Sequence, residues 1–185
     1  MKAFESPVFP RSDNPDRIRV MGIDPGTAVT GYGVIEGEGD EIELVNYGAL
    51  VSPKRSPIGE RLSYLYTGLI EVIHRHQPDV VVVEQPFVAK NVRSALAIGR
   101  AQAVAILAAV GKGIPTHEYT PAQIKQRVSN YGASSKEQVQ EMVRLQLGLD
   151  SVPEPDDAAD AIAVAICHLR ELHLNNLLAS QQERK

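Results

Sequence analysis

Apolar positions cluster at 20–23, recur through 31–36 and return across 41–51 without a helical period. These stretches read as three strands, 19–24, 31–36 and 41–51, with Gly37-Glu38-Gly39-Asp40 as the second turn. Their short links point to an antiparallel meander. After the turn-rich stretch 52–57 the period changes. Ile58, Leu62, Leu65, Leu69, Val72 and Ile73 repeat at helical spacing as far as His76, and Pro78 stops the helix. Residues 79–84 form a fourth strand, whose four consecutive valines require both faces to be buried. A helix from Asn91 to about Val110 is apolar almost all round, so it is buried or lies against a partner. A fifth strand at 114–119 precedes three helices. One starts at Thr120-Pro121-Ala122-Gln123, the next at the capping box Ser134-Ser135-Lys136-Glu137, and the last runs from Asp156 or Asp157 to about Leu174. The order β-β-β-α-β-α-β-α-α-α is that of a layered α/β domain.

At 185 residues the chain has the length of one domain. Residues 1–17, with Pro7, Pro10 and Pro15 and no periodicity, read as a flexible leader, 18–176 as the folded domain, and 177–185 as a polar tail that frays. No apolar run approaches the length of a membrane span, and the start lacks the apolar core of a secretory signal. A single cysteine, Cys167, excludes an internal disulfide framework and a cysteine-based zinc site. Together these features point to the cytoplasm and away from a membrane. The net charge of −4 does not mark a nucleic-acid binder, but its distribution is uneven. From Glu84 to Lys136 there are seven Lys and Arg against two acids, whereas from Ser151 to Arg170 four acids face one arginine. Charge counts alone fit a solvated surface better than a site.

Four carboxylates change that picture. Asp24 ends the first strand in the turn Asp24-Pro25-Gly26, where plain turn chemistry and function are equally good readings. Glu84 ends the valine strand, where an unpaired charge is costly. Asp157 and Asp160, at i and i+3, share a helix face, although acids in a first turn also complement the helix dipole. Asp156 and Asp160 at i, i+4 share a face too, which leaves the N-cap open between Asp156 and Asp157. Brought together, such acids repel one another unless cations or protons intervene. Divalent metal held by acids is one route to phosphodiester hydrolysis.

The segments Gly22-Ile23-Asp24-Pro25-Gly26 with Thr30-Gly31-Tyr32-Gly33, Glu84-Gln85-Pro86-Phe87-Val88-Ala89-Lys90-Asn91, and Asp157-Ala158-Ala159-Asp160-Ala161 together resemble the RuvC family of Holliday-junction resolvases, from about Arg19 to about His173. The resemblance implies a ribonuclease H-like fold, with a five-stranded mixed sheet (three antiparallel strands plus two parallel) flanked by helices. It implies a metal-dependent endonuclease that resolves four-way DNA junctions by paired symmetric nicks, leaving 5′-phosphate ends. Asp24, Glu84, Asp157 and Asp160 match the acids that bind Mg²⁺ or Mn²⁺, two ions per site, which leaves Asp156 as the cap. Lys136 matches a lysine near the scissile phosphate. At N2 of its helix this lysine is unfavourable for the isolated helix, so an anionic ligand is a plausible reason for it. Lys125 matches a basic DNA contact and Phe87 an aromatic that stacks on opened bases. Lys90 and Arg93 are further candidate DNA contacts. The helix from Asn91 resembles the family's homodimer interface, and the family implies RuvA and RuvB as branch-migration partners.

Three other readings compete. A RuvC-related ribonuclease H-like nuclease acting on RNA shares the strand-tip acids but has no need of Phe87 or a dimer. A junction-binding protein without catalysis has no use for four repelling acids at a DNA face. An ATPase of the sugar-kinase type needs two such domains, and this chain is too short for both. The five histidines show no ligand spacing, and Cys167 reads as a core thiol.

Overall fold

A computed structural model of the chain describes residues 14, 16–85 and 92–182. Most of the expected leader lies outside the described residues. The elements are β1 (Ile18–Asp24), β2 (Val29–Glu38), β3 (Glu41–Val51), α1 (Ile58–His76), β4 (Val80–Glu84), α2 (Val92–Val110), β5 (Thr116–Tyr119), α3 (Pro121–Ser129), α4 (Lys136–Gln146) and α5 (Asp156–Gln182).

One five-stranded sheet has the order β3-β2-β1-β4-β5. The β1–β2 and β2–β3 pairs are antiparallel, and the β1–β4 and β4–β5 pairs are parallel. This is the expected mixed sheet. The expected four-residue turn shrinks to Gly39 and Asp40, because β2 extends to Glu38 and Gly39 takes the positive φ of 60° that a two-residue hairpin demands.

Strand periodicity sorts the core into two layers. Val20, Val80 and Val82 face α3, α4 and α5 through Ile124, Val128, Val139, Val143, Ile162 and Ile166. Met21, Ile23, Val81 and Val83 face the other way, onto α1 and α2 through Leu69, Val72, Ile73, Ala105 and Ala108. All four valines of β4 are buried, as their continuous run requires.

Besides β2, which starts at Val29 rather than 31, and β5, which starts at Thr116 rather than 114, three helix boundaries differ from the sequence reading. The second capping box forms one residue later than expected: Ser135 is the N-cap and accepts from the Gln138 amide, so Lys136 is at N1 rather than N2. Asp156 is not a cap. It lies inside the first turn of α5, where the Pro155 carbonyl accepts from Ala158. α5 does not stop near Leu174 with a fraying tail. It runs to Gln182, because 174–182 contains no Gly or Pro to break it, and it leaves Leu177 and Leu178 half exposed.

α2 corrects a fourth expectation. It is long and apolar enough to cross a membrane by length and composition, since its mean hydropathy of 1.3 averages over Arg100 and Gln102. Ala101, Ala105, Ala108 and Ala109 are buried, and Ala105, Ala108 and Ala109 belong to the core layer shared with α1. Val92, Leu96, Leu107 and Val110 are exposed.

Candidate active site

β1 and β4 are parallel neighbours with Ile23 beside Val83, so Asp24 and Glu84 emerge side by side at one edge of the sheet. Their carboxyl groups share a hydrogen bond. The loop after Asp24 is fixed from several sides. The Thr30 hydroxyl donates to the Gly26 carbonyl at 2.7 Å, and the Thr27 carbonyl accepts from Ser52 Oγ at 2.7 Å and Arg61 Nε at 3.0 Å.

α5 brings the other two acids over this edge by lying against backbone. Gly31 sits opposite Asp24 in the register. A Cβ at Gly31 would overlap the Asp157 carbonyl, and one at Gly22 would overlap the Ala161 carbonyl. A glycine inside a strand often marks such a close approach. Here it lowers the first turns of α5 until Asp157 acts electrostatically on Asp24, and Asp160 on both Asp24 and Glu84.

From α4, Lys136 Nζ reaches Asp160 Oδ2 at 2.8 Å and Asp156 Oδ2 at 3.5 Å. One turn on, Gln140 is buried and its Nε2 is 3.4 Å from Asp160 Oδ1. Gln140 was missed in the sequence. Its signal was the i, i+4 spacing from Lys136, which puts both on one face of α4.

The acids disturb one another strongly. Burial, then the charges of Asp24 and Asp160, push Glu84 up to about 8, and Glu84 donates its proton to Asp24. Burial, then Asp160 and Asp157, push Asp24 up to about 6 against the pull of Lys136 and the Glu84 hydrogen bond. Burial also raises Asp160, with Lys136 and Gln140 opposing. Burial pulls Lys136 down, but its hydrogen bond to Asp160 and the charges of Asp160 and Asp156 outweigh that, so it stays protonated.

Carboxylate oxygens are hard donors suited to Mg²⁺ or Mn²⁺. Among the described residues, no group of three or more Asp, Glu, His or Cys side chains is set to hold a metal ion as it stands. The fit rests instead on repulsion: for want of a compensating positive charge, Glu84 is pushed up to about 8 and keeps its proton at neutral pH, and Asp24 is pushed up to about 6.

That repulsion has a measurable sign. Between the ordinary carboxylate range and about 8 the folded chain binds more protons than the unfolded chain, so stability falls as pH rises through this window. Buried His76 and His168, both lowered to about 4, act oppositely, but only below their ordinary 6.5. The Tm of the metal-free protein is therefore expected to fall from pH 6.5 to pH 8. Mg²⁺ at matched ionic strength should raise Tm more at pH 8 than at pH 6.5. Thermal scans at the two pH values check this, and an equal Mg²⁺ effect at both would place the ion elsewhere.

The remaining candidates scatter. Lys125 joins Glu84, Lys136 and Asp160 around a cavity of about 190 Å³ floored by Ile124 and Val139. Arg93 and Arg100 lie exposed on α2. Arg127 is ion-paired with Glu171, and Lys112 lines a groove with Asp79, at the start of β4 and so at the opposite end from Glu84. Phe87 and Lys90 lie outside the described residues. Cys167 is a fully buried thiol that burial pushes up to about 12, which suits a core residue.

Known proteins match this arrangement over most of the chain. The family model for crossover junction endodeoxyribonuclease RuvC matches residues 20–168. The RuvC crossover junction endodeoxyribonuclease of Dehalococcoides mccartyi is 56% identical over 162 residues, covering 88% of this chain and 97% of that protein. Thermus thermophilus RuvC, solved in complex with a Holliday junction substrate, superposes with a TM-score of 0.81 at 33% identity, covering 85% of this chain and 96% of that one. The yeast mitochondrial Holliday junction resolvase, at 18% identity, shares the fold with a TM-score of 0.66, covering 98% of this chain and 88% of that one. A five-stranded mixed sheet with this acidic edge, matched across nearly nine-tenths of its length, places the chain in the RuvC family of crossover junction endodeoxyribonucleases.

Proposed function

We propose that this chain nicks four-way DNA junctions by phosphodiester hydrolysis at the edge formed by Asp24, Glu84, Asp157 and Asp160. The observation that carries the reading is the convergence of acids from β1, β4 and α5 with carboxyls pushed up to about 6 and about 8. Such a cluster costs stability in the absence of a cation and makes sense at a site that recruits one.

When bound there, two Mg²⁺ or Mn²⁺ ions would supply positive charge that activates a nucleophile and stabilises the leaving oxygen. The chain's own groups then have separable roles. Asp24 and Glu84 present oxygens from rigid strand ends. Asp157 and Asp160 close the site from above. Lys136 holds Asp160 in place and offers a fixed positive charge to the scissile phosphate. Lys125, on the same cavity, contacts a neighbouring phosphate. Phe87 stacks on bases opened at the crossover, and Lys90 and Arg93 add backbone contacts.

The exposed Val92, Leu96, Leu107 and Val110 on α2 support a homodimer through that helix. A two-fold dimer presents two identical sites to a two-fold junction, which makes the nicks symmetric. RuvA and RuvB are the branch-migration partners that membership of the family leads us to expect.

The test is a labelled four-way junction beside a linear duplex of matched sequence, with Mg²⁺ and then Mn²⁺. Paired nicks in the junction alone support the reading. Binding without nicks in either metal would favour a junction binder, and absence of any junction preference would favour RNA as substrate.

Lys136→Gln is expected to slow nicking by roughly tenfold, below the usual effect of losing a fully enclosed charge, because the Lys136 side chain is 48% exposed and partly screened. Single-turnover rates with saturating enzyme read this directly. An unchanged rate would reduce Lys136 to a helix-start residue that only braces Asp160.

A further inference from the structure

The buried residues of α4 are Val139, Gln140 and Val143. The two valines belong to the core layer that α4 shares with α3 and α5. Gln140 needs another reason. A buried side-chain amide is costly unless its polar groups find partners, and a Met or Leu here would fill the space without that cost.

The partner of its Nε2 is Asp160 Oδ1, at 3.4 Å. The other oxygen of the same carboxylate, Oδ2, is 2.8 Å from Lys136 Nζ. One face of α4 thus grips both oxygens of Asp160, because Lys136 and Gln140 stand at i and i+4. The grip fixes the plane of the carboxylate, whose last torsion is otherwise broad.

The two donors differ in kind. Lys136 is charged, 48% exposed and shared with Asp156 Oδ2 at 3.5 Å, so it is able to turn toward an incoming phosphate. Gln140 is buried and neutral. At 3.4 Å its contact is long, so it contributes orientation more than strength. It also leaves the negative charge of Asp160 whole.

We propose that Gln140 is a positioning residue for nicking: it keeps the Asp160 carboxylate oriented for a divalent cation when Lys136 engages the scissile phosphate. This rests on the reading of the acidic edge as a metal-dependent nuclease site. It divides the work of one helix face between two side chains. Lys136 exchanges partners, and Gln140 does not. Without Gln140, a phosphate that drew Lys136 away would leave Asp160 free to rotate as the substrate arrives. Loss of such support behind a ligating carboxylate typically costs about 10–100-fold in metal affinity or rate.

Calorimetric titration of the metal-free protein with Mn²⁺ alone tests this without DNA. Gln140→Met removes the donor and nearly keeps the volume, and Gln140→Leu removes it with a different shape. Lys136→Ala stands in for a lysine drawn away to phosphate. In that background both Gln140 variants are expected to weaken Mn²⁺ binding by roughly tenfold, and by less where Lys136 is present. Their Tm should be unchanged or higher, since a buried amide has been replaced by an apolar side chain. In single-turnover nicking of the four-way junction by Gln140→Met, more Mn²⁺ should be needed for the half-maximal rate, and saturating Mn²⁺ should restore the rate. Unchanged Mn²⁺ affinity for both variants in the Lys136→Ala background would overturn the proposal. So would a lower Tm with a rate deficit that Mn²⁺ does not repair, since Gln140 would then serve packing alone. The titration decides the role of Gln140 whether or not the chain nicks, whereas a junction left intact by the unsubstituted chain would defeat the reading of the site.

Discussion

Asp24→Asn is expected to abolish junction nicking while making the metal-free protein more stable at pH 8. The two effects have one cause. Asp24 lies beside Glu84 and in the field of Asp157 and Asp160, and its charge is among the main reasons the Glu84 carboxyl is pushed up to about 8. An amide keeps the shape and removes that charge, so Glu84 ionises at lower pH and the folded state loses less stability as pH rises. Relief of about 1 kcal/mol corresponds to a Tm increase of roughly 2–4 °C in a chain of this size. Nicking should fall by at least roughly a thousandfold, because no other side chain supplies the charged oxygens that Asp24 presents at the end of β1. Junction affinity should hold, since phosphate contacts by lysine and arginine dominate binding. Gel-shift titration, single-turnover cleavage and thermal scans separate the three quantities. Lost affinity together with lost Tm would show that Asp24 is structural.

Gly31→Ala is expected to disable the site without touching an acid. The new methyl would overlap the Asp157 carbonyl, which is helix backbone and has no rotamer by which to escape. α5 must then lift from β2, and Asp157 and Asp160 move with it relative to Asp24 and Glu84. A displacement of about 1 Å is enough to cost roughly a hundredfold in rate. Overpacking of this kind also costs about 1–3 kcal/mol in stability. Gly59→Ala is the control, because a Cβ there meets nothing within 4 Å. Nicking at the unmodified rate by Gly31→Ala would mean that α5 need not lie this close to the sheet. If the control also loses activity, the effect is not one of packing.

The elements were legible in the sequence because their signals are local. The valines of β4 announced a strand buried on both faces, and Thr120-Pro121 with Gln123 announced a capped helix, as found. Misplaced ends occurred where local signals were ambiguous. Ser134 and Ser135 are both competent caps, and only the hydrogen bonds reveal that Ser135 serves, with Ser134 turned back to the Tyr131 carbonyl. The end of α5 was misread because polar residues after Leu174 look like a tail, although nothing there breaks a helix.

For the site, residue identity and position along the chain determined which carboxylates end strands and which open a helix. The sequence also carried the family resemblance. It could not decide that these acids meet. That depended on β1 and β4 being parallel neighbours, and on Gly22 and Gly31 allowing α5 to rest on backbone. Nor could it place Gln140 against Asp160, or separate Lys125 and Lys136 from Lys112 at the far end of the sheet. Periodicity reports which face of an element is apolar. Which faces then meet, and how closely, is set by packing between elements distant in the chain, and the shifted carboxyls follow from that proximity.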